Sequence, residues 1–161
     1  MDLMELASAV VEGLKKRGLM LATAESCTGG WVAQTLTSVP GSSAVFERGF
    51  VTYTNTAKHE MLGVSEKTLA QHGAVSEQTV REMAAGALAH SHAQVALSIS
   101  GVAGPGGGSL EKPVGTVCFG WAWQGEAPLS RTEHLPGNRE AVRQQAVTIA
   151  LQGVLDILDD G

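Results

Sequence analysis

Apolar side chains at Leu3, Leu6, Ala7, Val10, Val11 and Leu14 recur at i, i+3, i+4, i+7 spacing and predict an amphipathic helix over 3–17. Lys15, Lys16 and Arg17 fall in its last turn, and Gly18 suits the position just past its end. The period then changes. The short apolar run 19–24 predicts a buried strand, Thr28-Gly29-Gly30 punctuates it, and 31–36 returns to a helical pattern. A Pro-Gly-Ser-Ser turn at 40–43 leads into 46–55, where Phe50-Val51-Thr52-Tyr53-Thr54 is rich in strand formers. Short helices are expected over 57–62 and 66–71. Ser76 followed by Glu77, Gln78 and Thr79 marks a helix start, and an alanine-rich run carries it to His90. A strand at 95–100, a glycine-rich loop at 101–112, β-like segments at 114–123 and 129–135, and a long helix from Asn138 to about Leu158 complete the chain.

Helices that separate the early strands point to a layered α/β domain, and the consecutive late strands add antiparallel character. The 161 residues fit one domain, 1–161, with a single core; no repeat, low-complexity tract or long linker divides them. Hydrophobic residues make up 43% and charged residues 17%, which excludes a disordered chain. Aromatics are only 4%, so the core must rest on Ala, Val, Leu and Ile. Eleven Lys and Arg against 16 Asp and Glu leave a net charge of −5, the wrong sign for a duplex-binding module. The acidic start, Met1-Asp2-Leu3-Met4-Glu5, is not followed by a long apolar run, so neither a secretory signal nor a membrane span is expected. Cys27 and Cys118 form no CxxC pair or disulfide framework, and a reducing cytoplasm is the expected compartment.

Chemistry has four places to live. The first is Thr23-Ala24-Glu25-Ser26-Cys27-Thr28-Gly29-Gly30, between a buried strand and a helix, where ligands of α/β sheets gather. Free amides at the start of that helix favour anions and oxyanions, so Ser26 or Cys27 fits a nucleophile; by pattern alone a plain helix cap at Ser26 or Thr28 is the more ordinary reading. The second is Tyr53-Thr54-Asn55-Thr56-Ala57-Lys58. Lys58 is either a solvated surface lysine or, if enclosed and neutral, a base for a serine.

The third place is Ser98 to Ser109, where a strand runs into Gly101, Gly104, Gly106, Gly107 and Gly108. Successive amides there fit a phosphate or carboxylate, or the loop is a plain connection; it matches neither GxGxxG nor a P-loop. Ser109-Leu110-Glu111-Lys112 carries an SxxK string, but in a Gly/Pro loop, which marks it as a chance match. The fourth is Arg139 and Arg143, four apart and therefore on one helix face, suited to an anion or to surface acids such as Glu140. The histidines at 59, 72, 90, 92 and 134 lack zinc spacing, and no metal site is expected.

Taken together, Ala24-Glu25-Ser26-Cys27-Thr28-Gly29-Gly30, Tyr53…Lys58, Gly73-Ala74-Val75-Ser76 and Ser100-Gly101-Val102-Ala103-Gly104-Pro105 resemble the CinA C-terminal domain family. Pro113-Val114-Gly115-Thr116-Val117 and the Arg139–Arg143 segment extend the resemblance over about 3–158. It implies a three-layer α/β/α sandwich around a mixed, mainly parallel sheet, and a homodimer or larger homo-oligomer. The activity it implies is hydrolysis of nicotinamide mononucleotide (NMN) to nicotinate mononucleotide and ammonia, with no cofactor. A pyridine-nucleotide sensor without turnover and a competence- or repair-associated interaction module are the alternatives. Carried over by position, Ser26 is the nucleophile, Lys58 its base and Tyr53 a partner in the same hydrogen-bond network. Ser100 keeps a hydroxyl where many relatives have threonine. Cys27, Thr28, Gly29 and Gly30, with Gly101, Gly104 and Gly106, would hold the oxyanion or phosphate, and Arg139, ahead of Arg143, would be the cationic contact.

Overall fold

The structure is a computed structural model that describes residues 1–160. Helix α1 (Leu3–Arg17) starts on Asp2, whose carboxylate accepts from the Glu5 amide, and stops at Gly18, which takes φ 65°. The Leu19 amide bonds back to the Leu14 carbonyl across that stop, which delays strand β1 to Leu21–Glu25, two residues later than the hydropathy run suggests. Helix α2 (Trp31–Thr37) and a 3₁₀ turn (Ser42–Ala44) lead to β2 (Phe46–Val51). That strand ends before the predicted 55 because the Thr54 hydroxyl accepts from the Ala57 amide and so starts α3 (Asn55–Leu62).

Helices α4 (Glu66–His72) and α5 (Glu77–Ala89) follow, with Ser65 and Ser76 as their caps. Strands β3 (Val95–Gly101), β4 (Thr116–Trp123) and β5 (Leu129–His134) precede α6 (Arg139–Asp160), where Asn138 accepts from the Ala141 amide. Strand β4 starts two residues later than expected. Its approach is taken up by the loop's own closure, Val102 amide to Thr116 carbonyl and Gly115 amide to Val102 carbonyl.

The five strands lie in the order β2-β1-β3-β4-β5. β2, β1 and β3 are parallel, and β4 alone runs against its neighbours, which gives the mixed, mainly parallel sheet. Successive side chains alternate between two faces. Val95, Leu97, Ile99, Val117, Phe119 and Trp121 meet α1, α2 and α6, whereas Ala22, Ala24, Ala96 and Cys118 meet α3 and α5. The fold is therefore a three-layer α/β/α sandwich.

The two faces differ in side-chain size, and the smaller one lets α5 approach closely. Ser98 donates to the Val80 carbonyl at 2.6 Å, and Gly120 lies against that same carbonyl. The chain crosses from β1 to β2 over one face and from β2 to β3 over the other. This creates a topological switch point at the carboxyl ends of β1 and β3, where an α/β sheet opens a crevice. No helix among the described residues is long and apolar enough to cross a membrane.

Gly86, within the alanine-rich stretch of α5, sets the position of α3: a Cβ there would overlap the Leu62 carbonyl. Alanine has the higher helix propensity by about 1 kcal/mol. Overpacking against a fixed backbone carbonyl costs about 1–3 kcal/mol and outweighs it. Gly86→Ala is therefore expected to lower the urea midpoint of unfolding; an unchanged or higher midpoint would show that α3 yields freely.

Candidate active site

Three strand ends build the site. The β1 ladder runs one residue past the strand, Ser26 amide to Ile99 carbonyl at 3.0 Å, and fixes Ser26 beside the end of β3. The Glu25 carbonyl accepts from the Thr52 amide at 2.8 Å and ties the exit of β2 to the same point. Two residues on, Thr54 turns the chain into α3, and Lys58 arrives one turn later, pointing back.

Lys58 is not the solvated surface lysine that an isolated helix suggests. It is 1% exposed, and its Nζ lies 2.9 Å from Ser26 Oγ, 3.0 Å from the Thr52 carbonyl and 3.3 Å from the Tyr53 carbonyl. Burial penalises the ammonium form and holds the amine below its ordinary value near 10.5. The neighbours also suit a neutral amine. A neutral amine can give two N–H groups to the two carbonyls and keep its lone pair for the serine hydroxyl, which also lies 3.5 Å from the Tyr53 carbonyl.

Cys27 adjoins this pair but has a different character. It is buried with the apolar core under the sheet, and desolvation pushes its thiol up to about 11. A thiol that stays protonated at neutral pH is a poor nucleophile. Within this turn the geometry favours Ser26.

Tyr53 serves the pair through its main chain rather than its ring. Its carbonyl accepts from Lys58, while its phenol, largely exposed, accepts from Arg139 Nη2 at 3.2 Å. Arg139 also donates to the Gly104 carbonyl at 2.8 Å, so one guanidinium links the Tyr53 turn, the glycine-rich loop and α6. Ser26, Lys58, Tyr53, Ser100, Gly101 and Arg139 line one cavity of about 220 Å³, together with Cys27. Gly104 and Arg139 border a neighbouring cleft of about 560 Å³.

Other predicted positions serve differently. The Thr28 hydroxyl donates to Glu25 at 2.6 Å, so its side chain is engaged within the turn. Gly29 and Gly30 take φ 60° and 104°, which the tight entry into α2 requires. Gly106 has open space around it. In the SxxK string the Lys112 ammonium donates to the His72 carbonyl, and Ser109 Oγ only accepts from the Lys112 amide. Among the described residues no group of three or more His, Cys, Asp and Glu comes together to hold a metal.

Sequence reasoning left Glu25 without a role, and neither Ser26 nor Thr28 caps α2. The buried Glu25 carboxylate does, accepting from the Val32 amide at 2.9 Å, the Ala33 amide at 3.1 Å and the Thr28 hydroxyl. An acid at the end of a buried strand, a few residues before a helix with no capping side chain of its own, was the available signal. Asn55, Ala74, Val75 and Ala103, which complete the cavity, lie in segments that the resemblance covers but were given no role of their own.

Comparison with known proteins places the whole chain. The CinA C-terminal domain matches residues 3–158. The chain belongs to that family. The nicotinamide-nucleotide amidohydrolase PncC of Escherichia coli K12 is 59% identical over 151 residues, 94% of this chain and 92% of that one. The protein of the same name from Pseudomonas putida is 49% identical over 152 residues, 94% of each chain. The crystal structure of the competence/damage inducible protein CihA from Agrobacterium tumefaciens superposes with a TM-score of 0.94. It is 47% identical and covers 99% of this chain and 96% of its own.

The lowered Lys58 amine has a consequence for stability. Between its folded-state pKa and the ordinary value near 10.5, the unfolded chain binds a proton that the folded chain does not. Stability owed to this group therefore rises with pH across that interval and is flat below it. Relative to Lys58→Met, the wild type should gain stability as pH is raised from 7 toward 10 in parallel urea titrations. A constant difference would mean that the amine keeps an unperturbed proton affinity.

Proposed function

We propose that the protein is an amidohydrolase that converts NMN and water to nicotinate mononucleotide and ammonia, with Ser26 as nucleophile and Lys58 as its base. The observation that carries this reading is the 2.9 Å contact between Ser26 Oγ and the buried Lys58 amine at a cavity. The names of the relatives supply the substrate class.

In this mechanism neutral Lys58 accepts the Ser26 proton while Oγ attacks the carboxamide carbon. The oxyanion is met by main-chain amides of the turn after Ser26. The same proton then leaves with the amine as ammonia, and an acyl-serine remains. Water, deprotonated by Lys58, attacks that ester; the acid departs and Ser26 recovers its hydrogen. The pyridinium ring already draws electrons from the carboxamide, so the chemistry calls for no metal or redox group.

The inner cavity suits the ring and its carboxamide. The ribose and phosphate would extend past Arg139 toward the neighbouring cleft, where binding energy remote from the reacting carbon orients the substrate. The same reading carries a homo-oligomer in a reducing cytoplasm, in keeping with two free cysteines.

The direct test incubates purified protein with NMN and follows ammonia and nicotinate mononucleotide. Wild type and Cys27→Ala should both turn over, and folded Ser26→Ala should not. The reverse pattern would make Cys27 the nucleophile. Stabilisation by NMN without any product would instead favour the sensor reading, and neither effect would favour the interaction module.

Lys58→Ala should lower kcat by about 10²–10⁴-fold with a smaller change in KM. Because the working base is the unprotonated amine, kcat/KM of the wild type should rise with pH through the lowered Lys58 pKa and then level. A profile flat from pH 6 to 9 in an enzyme that depends on Ser26 would count against Lys58.

A further inference from the structure

Arg143 stands on α6, one turn beyond Arg139, and the sequence places both on the same face as possible anion contacts. Their surroundings differ. Arg143 Nε donates to the Cys27 carbonyl at 3.0 Å, and its Nη2 donates to the Thr28 carbonyl at 3.2 Å. Its guanidinium carbon lies 5.5 Å from the centre of the Trp31 ring, the first residue of α2, which gives the group a flat support. Gly29 presents no side chain beneath it, and a Cβ there would sit 3.5 Å from Nη2. One cation from the last helix thus holds two successive carbonyls of the turn that begins with Ser26.

That grip sets the direction of the amides. In a trans peptide the N–H points opposite to the C=O of the preceding residue. Drawing the Cys27 carbonyl toward Arg143 turns the Thr28 amide away from α6. The Ser26 carbonyl accepts from the Gly29 amide at 3.1 Å, and this fixes the Cys27 amide in the same way. Among the described residues neither the Cys27 nor the Thr28 amide donates to another residue; the Cys27 amide has only its own sulfur, a weak acceptor, beside it. Two adjacent free amides directly after a nucleophile are the donors that a developing oxyanion requires. A cation bonded to the Cys27 carbonyl also polarises that peptide and makes its N–H a stronger donor.

We propose that Arg143 is a positioning residue for the amidase reaction: it orients and polarises the Cys27–Thr28 peptide so that the amides after Ser26 receive the oxyanion, and it does not contact substrate. This inference rests on the amidase reading above, and its test includes a readout that needs no NMN. A fluorophosphonate labels an activated serine through the same nucleophile and oxyanion amides, with no pyridine nucleotide involved.

Arg143→Gln, which keeps one short donor and no charge, should slow labelling of Ser26 by about 10- to 100-fold and lower kcat on NMN to a similar extent. KM should stay within about threefold and the midpoint of the pH–rate profile should not move. Arg143→Lys keeps the charge with a single head that cannot span both carbonyls. It should recover part of the loss, and it serves as the test variant if the glutamine form does not fold.

Labelling at the wild-type rate in folded variants would overturn the proposal. So would a raised KM with kcat preserved, which is the signature of a substrate contact. A shifted pH midpoint would also overturn it, because it would mean that Arg143 acts by holding Ser26 against Lys58. Wild type that is labelled at Ser26 yet releases no ammonia from NMN would sink the amidase reading alone, leaving the labelling rates to judge Arg143. Wild type that is not labelled would sink both.

Discussion

The arrangement depends on one amine kept out of water. A lysine head solvated on a helix surface is an ammonium ion and cannot take a proton from serine. At 1% exposure, Lys58 loses the hydration that makes the charged form cheap, and its three contacts are two carbonyls and one hydroxyl. A single acid placed beside it would restore the charge and rule out the proposed use as a base. The only acid in this turn, Glu25, instead spends its carboxylate on Thr28, Val32 and Ala33. The core around α3 and α5 therefore has a chemical as well as a structural role: it supplies the desolvation.

The construction of the sheet explains how a short α3 can bury such a group. The face toward α3 and α5 is lined by Ala22, Ala24, Ala96, Ser98 and Gly120, and Gly86 removes the last side chain between α5 and the end of α3. The opposite face carries Leu, Ile, Val, Phe and Trp and packs against the longer α1 and α6. Bulk lies where helices are long and can cover it. Small residues lie where the backbone must come close enough to bring a lysine to a strand end.

Much of the fold was legible in the chain because the signals were local. The i, i+3, i+4, i+7 spacing of α1, the Ser76 start of α5 and the apolar run of β3 each point to one element, and each element formed there. The errors were at ends, where a cap outcompetes strand propensity. Thr54 has a strand former's side chain, but its hydroxyl gains more by starting α3. At the site, residue identity was legible and environment was not. Nothing local to Tyr53-Thr54-Asn55-Thr56-Ala57-Lys58 shows that Lys58 is enclosed, because the enclosure comes from β1, β2 and α5. The resemblance to a family, not spacing, singled out Lys58.

Tyr53 and Arg143 show the same limit from the other side. Each was marked for its side chain as a partner for the serine or for an anion, and in each the main chain decides what the side chain can do. The Tyr53 phenol points to Arg139, and its carbonyl is the group that meets Lys58. The Arg143 guanidinium is committed to carbonyls of the turn. The two arginines one helical turn apart thereby divide their work. Arg139 bridges the Tyr53 ring and the Gly104 carbonyl at the mouth of the cavity, where the proposed substrate would arrive, and Arg143 holds the turn that begins with Ser26. Identical side chains on one helix face meet different surroundings because the backbones opposite them differ: the Gly104 carbonyl and the Tyr53 ring at the rim for one, and two successive carbonyls of the turn for the other. Carbonyl direction is a property of the folded turn, so that distinction becomes visible only once the turn is in place.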